Sequence, residues 1–441
     1  MAEGEHGVIA AGHPLTAQAG ARVLREGGNA VDSAIAAMLV SFAAEPLLSG
    51  LGAGGYMLVA GGGQQPALLD FFVQAPSDPR ASDRAGVVLN HVQAYIAEIL
   101  TDLLTSTPEC AALWAPDGRI LREGELLRNP ELGDALAVLG SEGRDPFYSG
   151  AIAASVCDWL GERGGWLAPG DLDGYAALER RPIEIAYRDR LVLTNPPPSA
   201  GGTLIAYALA LLDRSPAPPT LRAIVEAMIA AQSERTPDFL DGLSEAGFLE
   251  RFLGSRLGAT THIAVLDAHG RACSVTCTIG EGSGVVVPGT GIHLNNVMGE
   301  QDLNPFGFHL HPPGRRMPSM MAPSIVMRDG EAELVLGSAG SNRIRSALLQ
   351  TIVAAVDHDL DVREAIDAPR VHFEEGVLYA EPGIDLDELA GLEAITADGA
   401  QQIVRFAELN LFFGGVQAVR RRGRRLSGAG DPRRGGVAID A

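Results

Sequence analysis

Apolar residues in this chain change their period at Thr260. Residues 219–257 carry helical spacing broken by turns, whereas the chain from Thr260 onward alternates at the two-residue period of a strand. Thr261 to Leu266 and Arg271 to Thr278 read as a hairpin. Ser324 to Arg328 and Glu331 to Leu336 read as a second, closed by Asp329-Gly330, a pair that favours the left-handed turn of a two-residue loop. Such hairpins must bury one face against other elements, and helices are predicted on both sides of them in the chain.

Upstream, Gly7 to Ala11 reads as a strand and Leu15 to Glu26 as a helix stopped by Gly27-Gly28. Asn29 can cap a further helix running to about Ala44, which is apolar on nearly all sides and so belongs inside a core. Pro46 closes it. The following glycine-rich stretch, Ser49 to Gly55, leads into a strand at Tyr56 to Ala60. A dinucleotide loop has the reverse order, strand before glycines before helix, so close backbone packing is the better reading. Residues 75–130 look less regular. Residues 134–180 look mainly helical, and Ile183 to Tyr187 with Leu191 to Leu193 alternate about a turn at Arg188-Asp189-Arg190. Asn195 to Gly202 is a rigid loop before the helix Thr203 to Leu212. A helix with Ile344, Leu348, Ile352 and Val356 on one stripe follows the second hairpin, and Asp361 with Glu364 forms a capping box for the next.

The bulk numbers exclude several functions. With 441 residues, 46% of them hydrophobic, the chain can bury a large core, as two or three domains or one layered unit. Its formal charge of -21 repels phosphate backbones and anionic lipid, so neither nucleic acid nor membrane is an expected partner. The one basic run, Arg420, Arg421, Arg422, Arg424 and Arg425, reads as a solvated hairpin edge. All 34 basic residues are arginine. Without lysine there is no Walker-type phosphate loop, no Schiff base and no Ser-Lys hydrolase. Cys110, Cys157, Cys273 and Cys277 are too scattered for a disulfide framework or a zinc site, and the last two share one face of a strand as small apolar residues. His309-Leu310-His311 lacks further ligands, so no metal or other cofactor is expected. The acidic start of the chain lacks a signal-peptide pattern, and the longest apolar stretch, Ala34 to Ala44, is too short to span a bilayer, so the expected location is the cytoplasm.

Thr260 is the candidate reactive residue. A three-residue loop at Ala268-His269-Gly270 would set Thr260 opposite Thr278, hydroxyl to hydroxyl. Were the bond between Ala259 and Thr260 cut, Thr260 would gain an α-amine that titrates near pH 8 (about one unit above neutrality) and could take the proton of its own hydroxyl. That suits a chain with neither a G-x-S-x-G elbow nor a lysine base. A second element fits. The strand ending at Gly337 leads through Ser338-Ala339-Gly340-Ser341-Asn342 into a helix, and amides at a helix start can hold developing negative charge.

These residues carry a family resemblance. Gly27-Gly28-Asn29-Ala30-Val31-Asp32, Gly50 to Gly55, Pro196 to Gly202, Thr260-Thr261-His262, Leu294-Asn295-Asn296, Met320 to Val326, Gly337 to Gly340, Ala368-Pro369-Arg370 and Asp431-Pro432-Arg433 resemble, in order, segments of the gamma-glutamyltranspeptidases, or glutathione hydrolases. The resemblance implies an α+β fold, a four-layer αββα sandwich of the N-terminal-nucleophile type. It implies self-cleavage into a large piece, residues 1–259, and a small catalytic piece, residues 260–441, which stay together in one folded unit. It implies Thr260 as nucleophile, Thr278 as its hydroxyl partner, and amides at Gly340 and Ser341 as the oxyanion hole. Glu300 would receive the amino group of a gamma-glutamyl substrate, with water or an amine as acceptor.

The substrate half departs from the family. Phe72 stands where the family has an arginine that grips the glutamyl carboxylate, with Arg80 the arginine that could replace it. Val297 stands for a glutamine, Gly280 for a polar residue, and Pro318-Ser319 for a serine pair of which only Ser319 keeps the hydroxyl. A segment of several tens of residues is missing between about Arg80 and Gln93. Three readings follow: a gamma-glutamyl hydrolase or transferase, an acylase for a non-glutamyl acyl group, favoured by Phe72 and Val297, and an unprocessed non-catalytic homologue, suggested by the missing segment.

Overall fold

The computed structural model describes residues 5–71, 87–234, 261–300, 316–374, 376–389 and 403–441. Two antiparallel sheets are stacked face to face between helices, in the α+β arrangement expected. The first sheet has strands in the order Val437–Asp440, Gly7–Ala11, Thr261–Asp267, Arg271–Thr278, Gly54–Gly61, Gln64–Phe71, Leu178–Arg180. The second runs Arg425–Gly430, Gly415–Arg422, Glu331–Ala339, Ser324–Arg328, Arg190–Thr194, Ile183–Tyr187. Both sheets mix strands from before and after residue 260.

Strict alternation builds the layers. Ala264, Leu266 and Ala272, with Tyr56 and Leu58 of the same sheet, face the second sheet, where they pack with Ile325 and Val335. Ile263, Val265, Cys273, Val275 and Cys277 face the helices Pro14–Arg25 and Ala30–Ala44. Both cysteines are fully buried and free, as small apolar residues. On the far side, helices Ala200–Asp213, Leu221–Ser233 and Arg343–Val356 cover the second sheet through Leu204, Leu209, Met228, Leu348 and Ile352.

Local signals set the joints. Asn29 Oδ1 accepts from the amides of Val31 and Asp32, and Asp32 returns a bond to the Asn29 amide, which fixes the start of the buried helix. Asp267 ties that start to the first hairpin: its carboxylate accepts from Ala30 N at 3.1 Å, His269 N at 2.9 Å and Arg271 N at 3.0 Å. Asp329 and Gly330 have φ of 51° and 82°, the left-handed pair a two-residue hairpin needs. The capping box of Asp361 and Glu364 is formed.

Two expectations need correction. The described part of residues 75–130, from Val87 on, is more regular than it read: helices His91–Ile99, Thr101–Leu104 and Pro108–Trp114 surround a core of their own with Leu89, Leu104, Trp114 and Leu127, closed by Leu47 and Val286. The arginine run is a hairpin edge only in part. Arg422, Arg424 and Arg425 are exposed, but Arg420 is 2% exposed, bonded to Glu333 at 2.7 Å and to the Leu360 carbonyl. Strand parity turns Arg420 toward the helix layer, alongside Val416 and Ala418, where Glu333 compensates its charge. Among the described residues no helix is long and apolar enough to cross a membrane, and no cluster of His, Cys, Asp or Glu could hold a metal. His309-Leu310-His311 lies outside the described residues.

Candidate active site

The first hairpin has the expected three-residue loop, with Gly270 at φ 82° and its amide bonded to Asp267 O at 3.1 Å. Its register pairs Ala272 with Leu266, Thr276 with His262 and Cys277 with Thr261. Continued by one step, that series would set Thr278 opposite position 260. Thr260, Ala259, Phe72 and Arg80 lie outside the described residues, so the description stops one residue short of the candidate nucleophile.

Thr278 and Thr261, at the described end of the hairpin, are both held by side-chain bonds. Thr278 is 3% exposed and its Oγ1 accepts from Gly280 N at 2.8 Å, which fixes its rotamer. Thr261 Oγ1 donates to Glu45 Oε2 at 3.0 Å, and Thr16 Oγ1 donates to Glu45 Oε1 at 2.7 Å. Glu45 is 3% exposed. Burial pushes its carboxyl above the ordinary range, and the two threonine hydroxyls pull it partly back.

Gly340 and Ser341, with φ of 121° and 52°, turn the chain from the strand Glu331–Ala339 into the helix Arg343–Val356. Their carbonyls accept from Arg343 N and Ile344 N at 3.0 and 3.1 Å, so the turn is locked onto the first turn of that helix, at the positive end of its dipole. A brace lies behind it. The Asn342 amide donates to Glu374, Glu374 meets His372 Nε2 at 3.3 Å, and His372 Nδ1 meets Ser346 Oγ at 2.8 Å. Burial raises the Glu374 carboxyl, but His372, Arg343 and Arg345 outweigh it and hold the group at about 2.

These parts converge. A cavity of about 730 Å³ is lined by Thr278, Gly280, Glu281, Glu300, Gly340, Ser341, Arg343 and Arg434, with an apolar wall of Leu47, Leu48, Ile96, Ile99, Leu100, Leu411 and Phe412. Of the sequence-predicted residues, Thr278, Glu300, Gly340 and Ser341 meet there. Val297 and Ser319 do not reach the lining. Val297 packs on Met317, both almost fully buried. Ser319 Oγ accepts from Met321 N at 3.1 Å, while its carbonyl takes the Ala200 amide at 2.8 Å and the Ser199 hydroxyl at 3.1 Å. Gly280 has a physical reason to lack a side chain. A Cβ there would come within 2.2 Å of Asn296 Oδ1 and 2.3 Å of Glu300 Oε1, so the acid and the amide occupy that volume.

Sequence reasoning missed Glu45, Arg434 and the apolar wall. Glu45 had a readable signal. It closes the helix Ala30–Ala44, and an acid at the negative end of a helix is unfavourable unless something else holds it.

Comparison with known proteins places the chain in a family. The gamma-glutamyltranspeptidase family matches residues 16–83, 80–253 and 249–441. The chain is 28% identical to the Acylase ACY 1 proenzyme of Pseudomonas sp. (strain SE83), over 87% of this chain and 85% of that one. It is 26% identical to the glutathione hydrolase proenzyme of Bacillus subtilis (strain 168), over 89% and 85%. Its fold superposes on the cephalosporin acylase of Bacillus halodurans with a TM-score of 0.81 at 22% identity, covering 99% of this chain and 96% of that one. The family's segments run through both sheets and around the cavity, and the chain belongs to the gamma-glutamyltranspeptidase family.

Proposed function

We propose that this chain is a hydrolase or transferase of acyl amides that works through Thr260 after the bond from Ala259 to Thr260 is cut. The observation that carries this reading is the convergence of Thr278, Glu300, Gly340 and Ser341 on one cavity, at the strand end whose register leads to Thr260. In this mechanism the freed α-amine of Thr260 takes the hydroxyl proton, and the hydroxyl oxygen adds to the substrate carbonyl. Amides at Gly340 and Ser341 hold the oxyanion, a contribution of roughly 3 kcal/mol per donor in comparable sites. The amine of the substrate leaves with a proton, and water or a second amine then takes the acyl group from Thr260. Residues 1–259 and 260–441 are the two resulting pieces. Because each sheet draws strands from both, they remain one body.

Mass spectrometry of the purified protein tests this. The expected result is two fragments, the smaller beginning at Thr260, and a single intact chain for Thr260→Ala. A chain that stays continuous through residues 259 and 260 while turning over substrate would refute the mechanism. A chain that neither cleaves nor turns over amides would favour the non-catalytic reading.

The apolar wall favours a second reading, an acylase for a non-glutamyl acyl group. Gamma-glutamyl and uncharged acyl anilides compared side by side decide between them. Clear preference for the gamma-glutamyl compound rejects the acylase.

A further inference from the structure

The charges on the cavity wall are segregated. Glu281 and Glu300 lie on the Gly280 side, and Arg343 and Arg434 on the Gly340 side. Arg343 stacks on the Phe412 ring, 4.3 Å from its centroid. Arg434 is held differently. Its side chain crosses Gly415, where an added Cβ would lie 2.5 Å from Arg434 Cδ, and its Nη2 reaches to 3.0 Å from where a Cβ on Gly340 would stand. Two glycines thus open the path that brings this guanidinium to the oxyanion turn.

Little compensates it there. Nη2 donates to the Leu411 carbonyl at 3.2 Å, and Nε is buried with no acceptor among the described residues. Asp431, the acid that acts on it through space, is already paired with Arg370 at 2.7 Å and Arg433 at 3.2 Å. Glu381 is taken by Arg433 at 2.6 Å. Burial lowers the Arg434 guanidinium to about 10, which still leaves it cationic near neutrality. A part-buried cation without an acid partner among the described residues favours any anion that enters beside it.

We propose that Arg434 is the carboxylate-recognising residue of this cavity, and that the acyl group it admits ends in a carboxylate. The proposal rests on the cavity being an acyl site and adds what the acyl group must carry. A planar guanidinium matches a carboxylate in two parallel hydrogen bonds, and Phe72 cannot make them at the position where the family has its arginine. The apolar wall then suits the methylene chain between the carboxylate and the reacting carbonyl. An acyl chain without a charged end would leave Arg434 uncompensated.

Binding of small acids separates this assignment from the reaction itself. Isothermal titration of glutarate and of butyrate compares two acids that differ by the distal carboxylate. For the wild type, glutarate is expected to bind about tenfold tighter or better, the usual worth of a charge-assisted hydrogen bond. Arg434→Gln should bring the two within about twofold, and Arg434→Lys should keep part of the preference. Phenylglyoxal labelling of the wild type gives the same answer without a variant: glutarate, and not butyrate, should protect Arg434. No preference in the wild type, a preference kept in Arg434→Gln, or equal protection by both acids would overturn the assignment. Equal protection would mean that the guanidinium serves the reacting carbonyl oxygen instead. A chain that never cuts itself but binds glutarate through Arg434 would refute the reaction and leave this assignment standing. A self-cutting chain with no preference would do the reverse.

Discussion

Glu45 offers the sharpest test of how the strand end at Thr261 is held. It accepts the Thr16 hydroxyl at 2.7 Å and the Thr261 hydroxyl at 3.0 Å while 3% exposed. Glu45→Ala would strand both hydroxyls in a dry site and leave a cavity. Each stranded hydroxyl costs about 1–3 kcal/mol, so we expect a loss of about 3–5 kcal/mol in a denaturant melt. Thr261→Val leaves one carboxylate oxygen without its donor and should cost about 1–2 kcal/mol. If the bond is real, the two changes overlap, and the double variant should be about 1–2 kcal/mol more stable than the sum of the singles. Burial raises the Glu45 pKa above its ordinary 4.5, so this group's stabilisation is full below that pH and declines as pH rises through the folded value. The penalty of Glu45→Gln should therefore shrink as pH rises, because the neutral amide escapes the cost of ionisation. Thr261 follows Thr260 directly, so the same variants should slow cleavage at that bond by about tenfold for each 1.4 kcal/mol transmitted to the barrier. Additive melts, with Glu45→Ala within about 0.5 kcal/mol of wild type, would refute this account of the strand end.

Two further outcomes follow from the geometry. Gly340→Ala puts a methyl 2.8 Å from Gly414 Cα and 3.0 Å from Arg434 Nη2 at a φ of 121°. It should cost about 1–3 kcal/mol in a denaturant melt and reduce turnover more than substrate binding, whereas unchanged turnover would count against the oxyanion assignment. His293 accepts the Gly284 amide through Nε2 at 3.1 Å, and burial lowers its pKa from 6.5 to about 4. A depressed histidine stabilises above its unfolded pKa and loses that contribution as pH falls toward the folded one. Up to about 3 kcal/mol should therefore disappear between pH 6.5 and 4, and His293→Gln should flatten that part of the profile in thermal melts.

What the sequence disclosed was mostly local. The cap at Asn29, the Asp329-Gly330 turn and the loop at Ala268-His269-Gly270 are short-range chemistry, and each is formed as read. The hairpin register followed from that loop as far as it is described, with Cys277 opposite Thr261. The helix at His91 had a signal that went unused, since Asn90 and Gln93 form a capping box of their own. Other features depend on contacts no window contains. Arg420 is buried only because Glu333 and the Leu360 carbonyl lie across from it. Arg434 reaches the cavity only because Gly340 and Gly415, far from it in the chain, lack side chains. The strand Val437–Asp440 pairs with Gly7–Ala11 from the other end of the sequence, and nothing in either segment names its partner.

That last pairing has a consequence for engineering. Val8 stands opposite Asp440, and the His6 amide meets the Ala441 carbonyl at 3.0 Å, so the two extremities are already neighbours. A short linker could join them, and the ring could be opened in front of Thr260 instead. Such a circular permutant would retain every described strand pair, and removal of its initiator methionine would free the Thr260 amine without any self-cleavage. Under the proposed mechanism it would uncouple maturation from turnover.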